Sequence, residues 1–324
     1  MTRLFKLSSI RKGFFLDPKL RLSQRSSLND PFECLPQASQ VASLYDRIFA
    51  AFKKQGSDVT GYDTIGAHIR KAGADVLYKY TDLHDRYGII SFCREIDSIL
   101  IWSHYADNHK GIAIEIEIDK MGLNNSLNHS QFSAKNIKSP QPVIYSKSRS
   151  VVDTGETNFS HLFDSFFIKS DEWAYEKEYR IVADLVDSNE VWVEENIWES
   201  TIENSDVYEN YKKFFDVANR IGNQIKLVVN DNAYKIDNSM TFGDNPDKMR
   251  NNILANTYSR LAKHPSSLFF YRFPIECISK IYLGCTITPS AKNDLLEEIN
   301  QCDYKPEIIQ LNRSNDRFEL NYTS

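Results

Sequence analysis

Ile112, Ile114, Ile116 and Ile118 alternate with Ala113, Glu115, Glu117 and Asp119, and a strict period of two fits a half-buried strand with one apolar face. Such a strand needs a sheet and a second layer to cover it. Short apolar runs at 4–7, 19–23, 88–93, 142–145, 225–229, 269–273, 278–283, 307–311 and 318–322 read as further strands. Helical spacing marks 38–55, where Val41, Leu44, Tyr45, Ile48 and Phe52 share a stripe, and also 63–79, 159–169, 206–222, 246–262 and 290–301. Asp97 and Ser98 suit the cap of another helix, with Ile99, Trp102 and Ala106 on one face, expected to end at Gly111. No βαβ rhythm joins these elements. The pattern predicts an α+β fold with a mixed, mainly antiparallel sheet core and flanking helices. It is read as a single domain, 1–324, with helical insertions at about 36–87 and 187–266.

With 324 residues and 41% hydrophobic content, the chain can bury one large core or two modest ones. No apolar run reaches the roughly 18 residues of a membrane span. The start, Met1 to Lys6, enters strand-like sequence without a signal-peptide core, so a cytoplasmic location is expected. Five scattered cysteines without a C-x-x-C pair argue for reduced thiols over a disulfide framework or structural zinc, and no metal is expected. A net charge of -5 disfavours bulk nucleic-acid binding. Locally the charge is uneven. Arg3, Lys6, Arg11, Lys12, Lys19, Arg21 and Arg25 face a single acid, Asp17, within residues 1–25, a surplus that suits a phosphate-bearing ligand. Residues 184–209 hold nine acids and no Lys or Arg, which reads as a solvated insertion.

Two stretches carry most of the chemistry. In Trp173 to Val182, strand period would point Glu176, Glu178 and Arg180 from one face toward a cleft or solvent, with Tyr175, Tyr179 and Ile181 on the other. The competing reading of that row is a structural ion-pair ladder. The segment from Trp102 to Gly111 is the densest polar cluster, with His104, Tyr105, Asp107 and Lys110 at a helix-to-strand junction, a usual place for ligand contacts. Against that, Trp102 and Tyr105 suit a core, and Asp107 to Lys110 a solvated helix end. Ser23, Arg25, Asn29, Asp30 and Glu33 gather around a turn forced by Pro31, which serves either a ligand or local hydrogen bonding.

The succession Leu22-Ser23, Leu28 to Glu33, Ile90 to Cys93, Trp102 to Asp107, Gly111 to Glu115 and Trp173 to Arg180 resembles the domain of unknown function 2971 family, an uncharacterised and mostly bacterial group. The resemblance covers about 1–35, 88–119 and 142–185 and, more weakly, 268–320. The layout is also similar to ADP-ribosyltransferases, enzymes that split nicotinamide adenine dinucleotide (NAD) with a basic residue, a hydroxyl residue and a Glu-x-Glu from successive strands. That resemblance implies Glu178 and Glu176 as catalytic groups. It implies contacts to an NAD-like nucleotide from Lys6, Ser23, Arg25, Asn29, Asp30, Trp102, His104 and Tyr105, supported by Glu33, Asp107, Lys110 and Arg180. It implies an NAD-consuming transferase or glycohydrolase, by analogy a toxin or antiviral effector, acting on an unidentified macromolecular acceptor. Two other readings stand beside it. One is a metal-dependent nuclease using Asp30, Glu33, Glu176 and Glu178 with Lys6 or Lys110 nearby, and the other is a non-catalytic sensor or interaction module.

Overall fold

The computed structural model describes residues 2–56, 84–122, 139–149, 160–203, 212–233 and 246–323. In chain order the strands are β1 (Arg3–Ser8), β2 (Lys19–Arg21), β3 (Ser23–Gln24), β4 (Tyr87–Cys93), β5 (Ile112–Glu117), β6 (Gln141–Pro142), β7 (Ile144–Tyr145), β8 (Ile168–Lys169), β9 (Glu178–Asp184), β10 (Glu190–Glu194), β11 (Phe215–Ile221), β12 (Gln224–Val229), β13 (Leu268–Arg272), β14 (Ile278–Leu283), β15 (Glu307–Arg313) and β16 (Leu320–Thr323). The α-helices are α1 (Ala38–Lys54), α2 (Ile99–Tyr105), α3 (Glu195–Glu203), α4 (Pro246–Leu261) and α5 (Pro289–Asn300).

One sheet runs β16-β15-β14-β5-β1-β4-β9-β6, with β3 added against β4. Its pairs are antiparallel except β14 with β15, which α5 connects as a crossover. A second, all-antiparallel sheet runs β11-β12-β10-β13-β2. The fold is therefore α+β, with mixed and mostly antiparallel sheets. Ile112, Ile114 and Ile116 of β5 share one core with Val191, Val193, Leu227 and Phe269 of the second sheet and with Leu254 and Tyr258 of α4. On the opposite side Leu7, Ala113 and Tyr282 pack beneath Ile101 and Trp102 of α2.

Strand β5 is thus covered on both faces, where the alternation predicts only one. Glu115 and Glu117 are buried because they are paired. Glu115 accepts from Ser279 Oγ at 2.7 Å and Tyr282 Oη at 3.2 Å, and Glu117 from Arg3 at 3.1 Å, with Lys120 beside it.

Other expectations shift as well. The 142–145 run forms two short strands, β6 and β7, and the 159–169 segment is a 3₁₀ helix from Ser160 to Phe167 followed by β8. The helix read at 206–222 is, where described, a 3₁₀ turn and the exposed edge strand β11. The segment 187–266, read as a helical insertion, contains β10, β11 and β12 beside α3 and α4. The helix read at 63–79 lies outside the described residues.

The acidic stretch is not simply solvated. Glu190, only 3% exposed, accepts from Lys19 at 2.7 Å, Lys226 at 3.0 Å, Arg272 at 2.5 Å and the Trp192 indole at 2.7 Å, which ties β2, β12 and β13 to β10. Burial pushes its carboxyl up, but these donors outweigh it and bring it down to about 2. Because the folded value lies below the ordinary 4.5, Glu190 stabilises the fold above that value, and the contribution is lost as pH falls toward about 2. Glu190→Ala should lower the unfolding free energy by about 3 kcal/mol, the low end for breaking a buried ion pair because its cations keep some solvent contact. In urea titrations Glu190→Gln should lack the part of the acid destabilisation between pH 4.5 and 2 that the unsubstituted protein shows.

Candidate functional site

The centre of the large sheet carries one line of residues across three strands. Phe5 of β1 lies opposite Cys93 of β4, and Cys93 opposite Glu178 of β9. Above that line lies a cavity of about 320 Å³, within the range of small-ligand pockets. Lys6, Ser23, Asn29, Glu33, Tyr105, Glu176 and Glu178 all line it. Seven sequence-predicted residues, drawn from β1, β3, the turn after it, α2, and the segment leading into β9, thus meet in one place.

The Glu176–Glu178–Arg180 row is not a single strand face. Residues Asp171–Glu176 form a 3₁₀ helix, and Lys177 is left-handed at φ 45°. Glu176 therefore leaves the end of a helical turn and Glu178 the start of β9. A third group reunites them. Lys169 Nζ, on β8, lies 2.8 Å from Glu176 Oε2, 3.3 Å from Glu33 Oε1 and 3.5 Å from Glu178 Oε2, with the Trp173 ring 4.5 Å away. Sequence reading missed Lys169. Its only sequence signal is a lysine closing an aromatic run.

Arg180 is 1% exposed and lines no part of the cavity. Its Nε and Nη2 donate to the two oxygens of Glu178 at 2.8 and 2.9 Å, Nη1 donates to the Phe166 carbonyl at 2.8 Å, and Nη2 also reaches Glu33. This is a bidentate clamp on Glu178. The Glu178 N–H is fixed in turn by Tyr145 Oη at 2.8 Å.

Burial raises the Glu178 carboxyl, yet Arg180, Lys169 and a Ser91 hydrogen bond overcome it and hold it at about 2. Glu176 goes the other way. Burial raises it, and Lys169 and the Tyr105 hydroxyl, which donates to Oε1, only partly offset that. Two neighbouring carboxylates with protonation pushed apart are the arrangement that separates a permanently charged group from a proton-transferring one. Burial also lowers Lys6, whose Nζ donates to the Ser91 carbonyl at 2.8 Å. Cys93, raised to about 12 chiefly by burial, stays a thiol.

Other predicted residues fall outside the lining. Trp102 is fully buried core, its indole N–H donating to the Ile96 carbonyl at 2.8 Å. His104 is exposed and meets Tyr175 Oη through Nδ1 at 2.9 Å. Arg25 lies 3.6 Å from Asp85. Asp30 accepts the Phe32 N–H at 2.8 Å and faces a neighbouring cavity. Helix α2 stops at Tyr105, short of Gly111, because Asp107, Asn108 and His109 take left-handed φ values of 46°, 52° and 69°. Asp107 and Lys110 belong to that turn, closed by Lys110 N–H to the Asp107 carbonyl at 3.1 Å. The N-terminal cations are mostly engaged by protein. Arg3 pairs with Glu117, Lys19 with Glu190, and Arg21 with carbonyls at Pro265 and Ser267, leaving Lys6 as the one that lines the cavity.

No helix among the described residues is long and apolar enough to cross a membrane. No curated protein and no solved structure matches the chain. The model of a protein family of unknown function, DUF2971, matches residues 101–181. That stretch contains the α2 turn, Lys169, Glu176, Glu178 and Arg180, while Lys6, Ser23, Asn29 and Glu33 reach the cavity from outside it.

Proposed function

We propose that the cavity over β1, β4 and β9 is a catalytic site that cleaves the nicotinamide–ribose bond of NAD, as a glycohydrolase or as an ADP-ribosyltransferase to an acceptor. The observation that carries this reading is the pair Glu176 and Glu178, buried in one cavity and pushed in opposite protonation directions. Loss of nicotinamide leaves an oxocarbenium-like ribose cation. A carboxylate held down to about 2, and so ionised at neutral pH, is suited to face that cation. Arg180 fixes the orientation of Glu178, so little reorganisation is needed as positive charge develops.

Glu176 has the complementary task. Its raised carboxyl is the better proton acceptor, and it would take a proton from water or an acceptor hydroxyl as the new bond to ribose forms. Tyr105 and Lys169 hold its two oxygens. Ser23 and Asn29, also in the lining, supply a hydroxyl and an amide for the ribose and the nicotinamide amide. The volume suits a ring and a ribose better than a whole dinucleotide. A nuclease metal has less support, because Lys169 Nζ already occupies the point where Glu33, Glu176 and Glu178 converge.

Purified protein given NAD should release nicotinamide, and Glu178→Gln should reduce that rate by roughly 10²-fold or more with an unchanged circular dichroism spectrum. Undiminished release by the variant would remove the assignment.

The pH dependence has a definite sign. Glu176 accepts a proton only when ionised and its carboxyl lies above the ordinary 4.5, so the rate should fall as pH drops through that raised value. Glu178, at about 2, adds no limb in that range. Glu176→Gln should slow turnover and flatten the acid limb. A pH–rate profile of the variant that keeps the limb would assign it to another group.

A further inference from the structure

A second cavity, of about 270 Å³, lies beside the first and shares Glu33 and Lys169 with it. Beside Ser146, Ile168 and Ser170, its lining carries three further kinds of group. Lys147 and Arg149 supply positive charge, Phe32 an aromatic ring, and Asp30 a carboxylate. Among the described residues neither Lys147 nor Arg149 makes an ion pair, whereas most cations near the first cavity are already engaged. The Arg149 guanidinium lies 5.4 Å from the centre of the Phe32 ring. Phe32 is 61% exposed and lines the cavity. Asp30 is 7% exposed. Its Oδ1 takes the Phe32 N–H, and its Oδ2 accepts no hydrogen bond among the described residues.

Two cations without an ion pair among the described residues, an exposed ring with Arg149 over one face, and a carboxylate oxygen with spare capacity are complementary to the three parts of a nucleotide. The cations suit its phosphate, the ring its base, and the carboxylate its ribose hydroxyls. We propose that this second cavity binds a nucleotide, with Lys147 and Arg149 on the phosphate, Phe32 stacked on the base and Asp30 holding the ribose. The proposal stands apart from the NAD reading of the first cavity, since it needs neither a nicotinamide group nor turnover. Where both hold, Lys169 connects them. A phosphate beside Lys169 competes with Glu176 for its charge, so occupancy of the second cavity raises the Glu176 carboxyl further.

The local fold explains why these groups converge. Pro31 and the Asp30 side chain fix the turn that turns Phe32 outward. β7 pairs in parallel with β8, and the Ser146 N–H bonds the Lys169 carbonyl at 2.9 Å, which holds the 146–149 segment against the Lys169 wall. Both sides of the cavity are therefore anchored to the residues that build the first one.

The test is calorimetric titration of the full chain with adenosine monophosphate, which has no nicotinamide bond and so reports binding whatever the outcome with NAD. The unsubstituted protein should bind it, more weakly as salt rises. The double variant Lys147→Ala/Arg149→Ala should weaken binding at least tenfold, about 1.4 kcal/mol. Phe32→Ala should weaken adenosine monophosphate while leaving inorganic pyrophosphate unaffected. The 2′,3′-dideoxy analogue should bind the unsubstituted protein more weakly. All three side chains are at the surface, so their removal leaves the core intact. Equal affinity of the double variant and the unsubstituted protein would overturn the proposal, as would no binding at millimolar concentration. So would binding that Tyr105→Phe abolishes and the double variant does not, because the ligand would then occupy the first cavity.

Discussion

Arg180 sets the terms for everything around it. A guanidinium that is 1% exposed cannot lose its charge, so the fold has to bring it carboxylates, and it brings two from distant parts of the chain. Glu178 comes from two residues earlier on β9, and Glu33 from the turn 147 residues upstream. The Phe166 carbonyl closes the remaining side. Either acid alone would still neutralise the guanidinium, but only the two together hold both sides of its fork. This one cation thereby fixes the β9 start, the Pro31 turn and the 3₁₀ segment that ends at Phe167 in a single arrangement, which places Glu33 in both cavities and Glu178 in the first.

The same requirement explains why the two glutamates differ. Glu33, Glu176 and Glu178 share the interior with Lys169 and Arg180, the two cations that contact them among the described residues, while Lys6 turns to the Ser91 carbonyl. One carboxylate is in excess. Arg180 contacts Glu178 and Glu33 but not Glu176, so Glu176 is less compensated than Glu178, and burial leaves its carboxyl above the ordinary value. The opposite displacement of the two carboxyls thus follows from charge balance, without any reference to substrate.

Much of the fold was legible from periodicity. β5, β14, β15, α1, α4 and α5 all lie where apolar spacing puts them, because each has a buried face that selected its residues. β11 was not legible, and for the same reason. Residues Asp216 to Ile221 are exposed, so no burial constrains their pattern, and the segment reads as readily as helix. The double burial of β5 was hidden because Glu115 and Glu117 look like solvent-facing residues until Arg3, Ser279 and Tyr282 are brought to them by β1 and β14. In the site, Lys6, Ser23, Glu176 and Glu178 stood out by type and order. Lys169 did not, since a single lysine gains meaning only when three carboxylates converge on it. Lys177 did not either, because a left-handed lysine leaves no mark in sequence.

The end of α2 shows how a backbone detail delivers a side chain. Had the helix continued to Gly111, the chain would have carried the 106–110 segment past β1 before turning back. Instead three consecutive left-handed residues, two of them the tolerant Asp and Asn, reverse it at once. The His109 N–H returns to the Trp102 carbonyl at 3.2 Å, and the Gly111 N–H to the Ala106 carbonyl at 2.7 Å. A side chain at Gly111 would collide with the Ser8 carbonyl, so the position requires glycine for β5 to enter beside β1. With Trp102 locked into the core, Tyr105, one turn further along α2, is left at the helix end with its hydroxyl on Glu176. The polar cluster of this segment thus works mainly as a structural device that aims one phenol into the cavity, while His104, Asp107 and Lys110 remain in solvent.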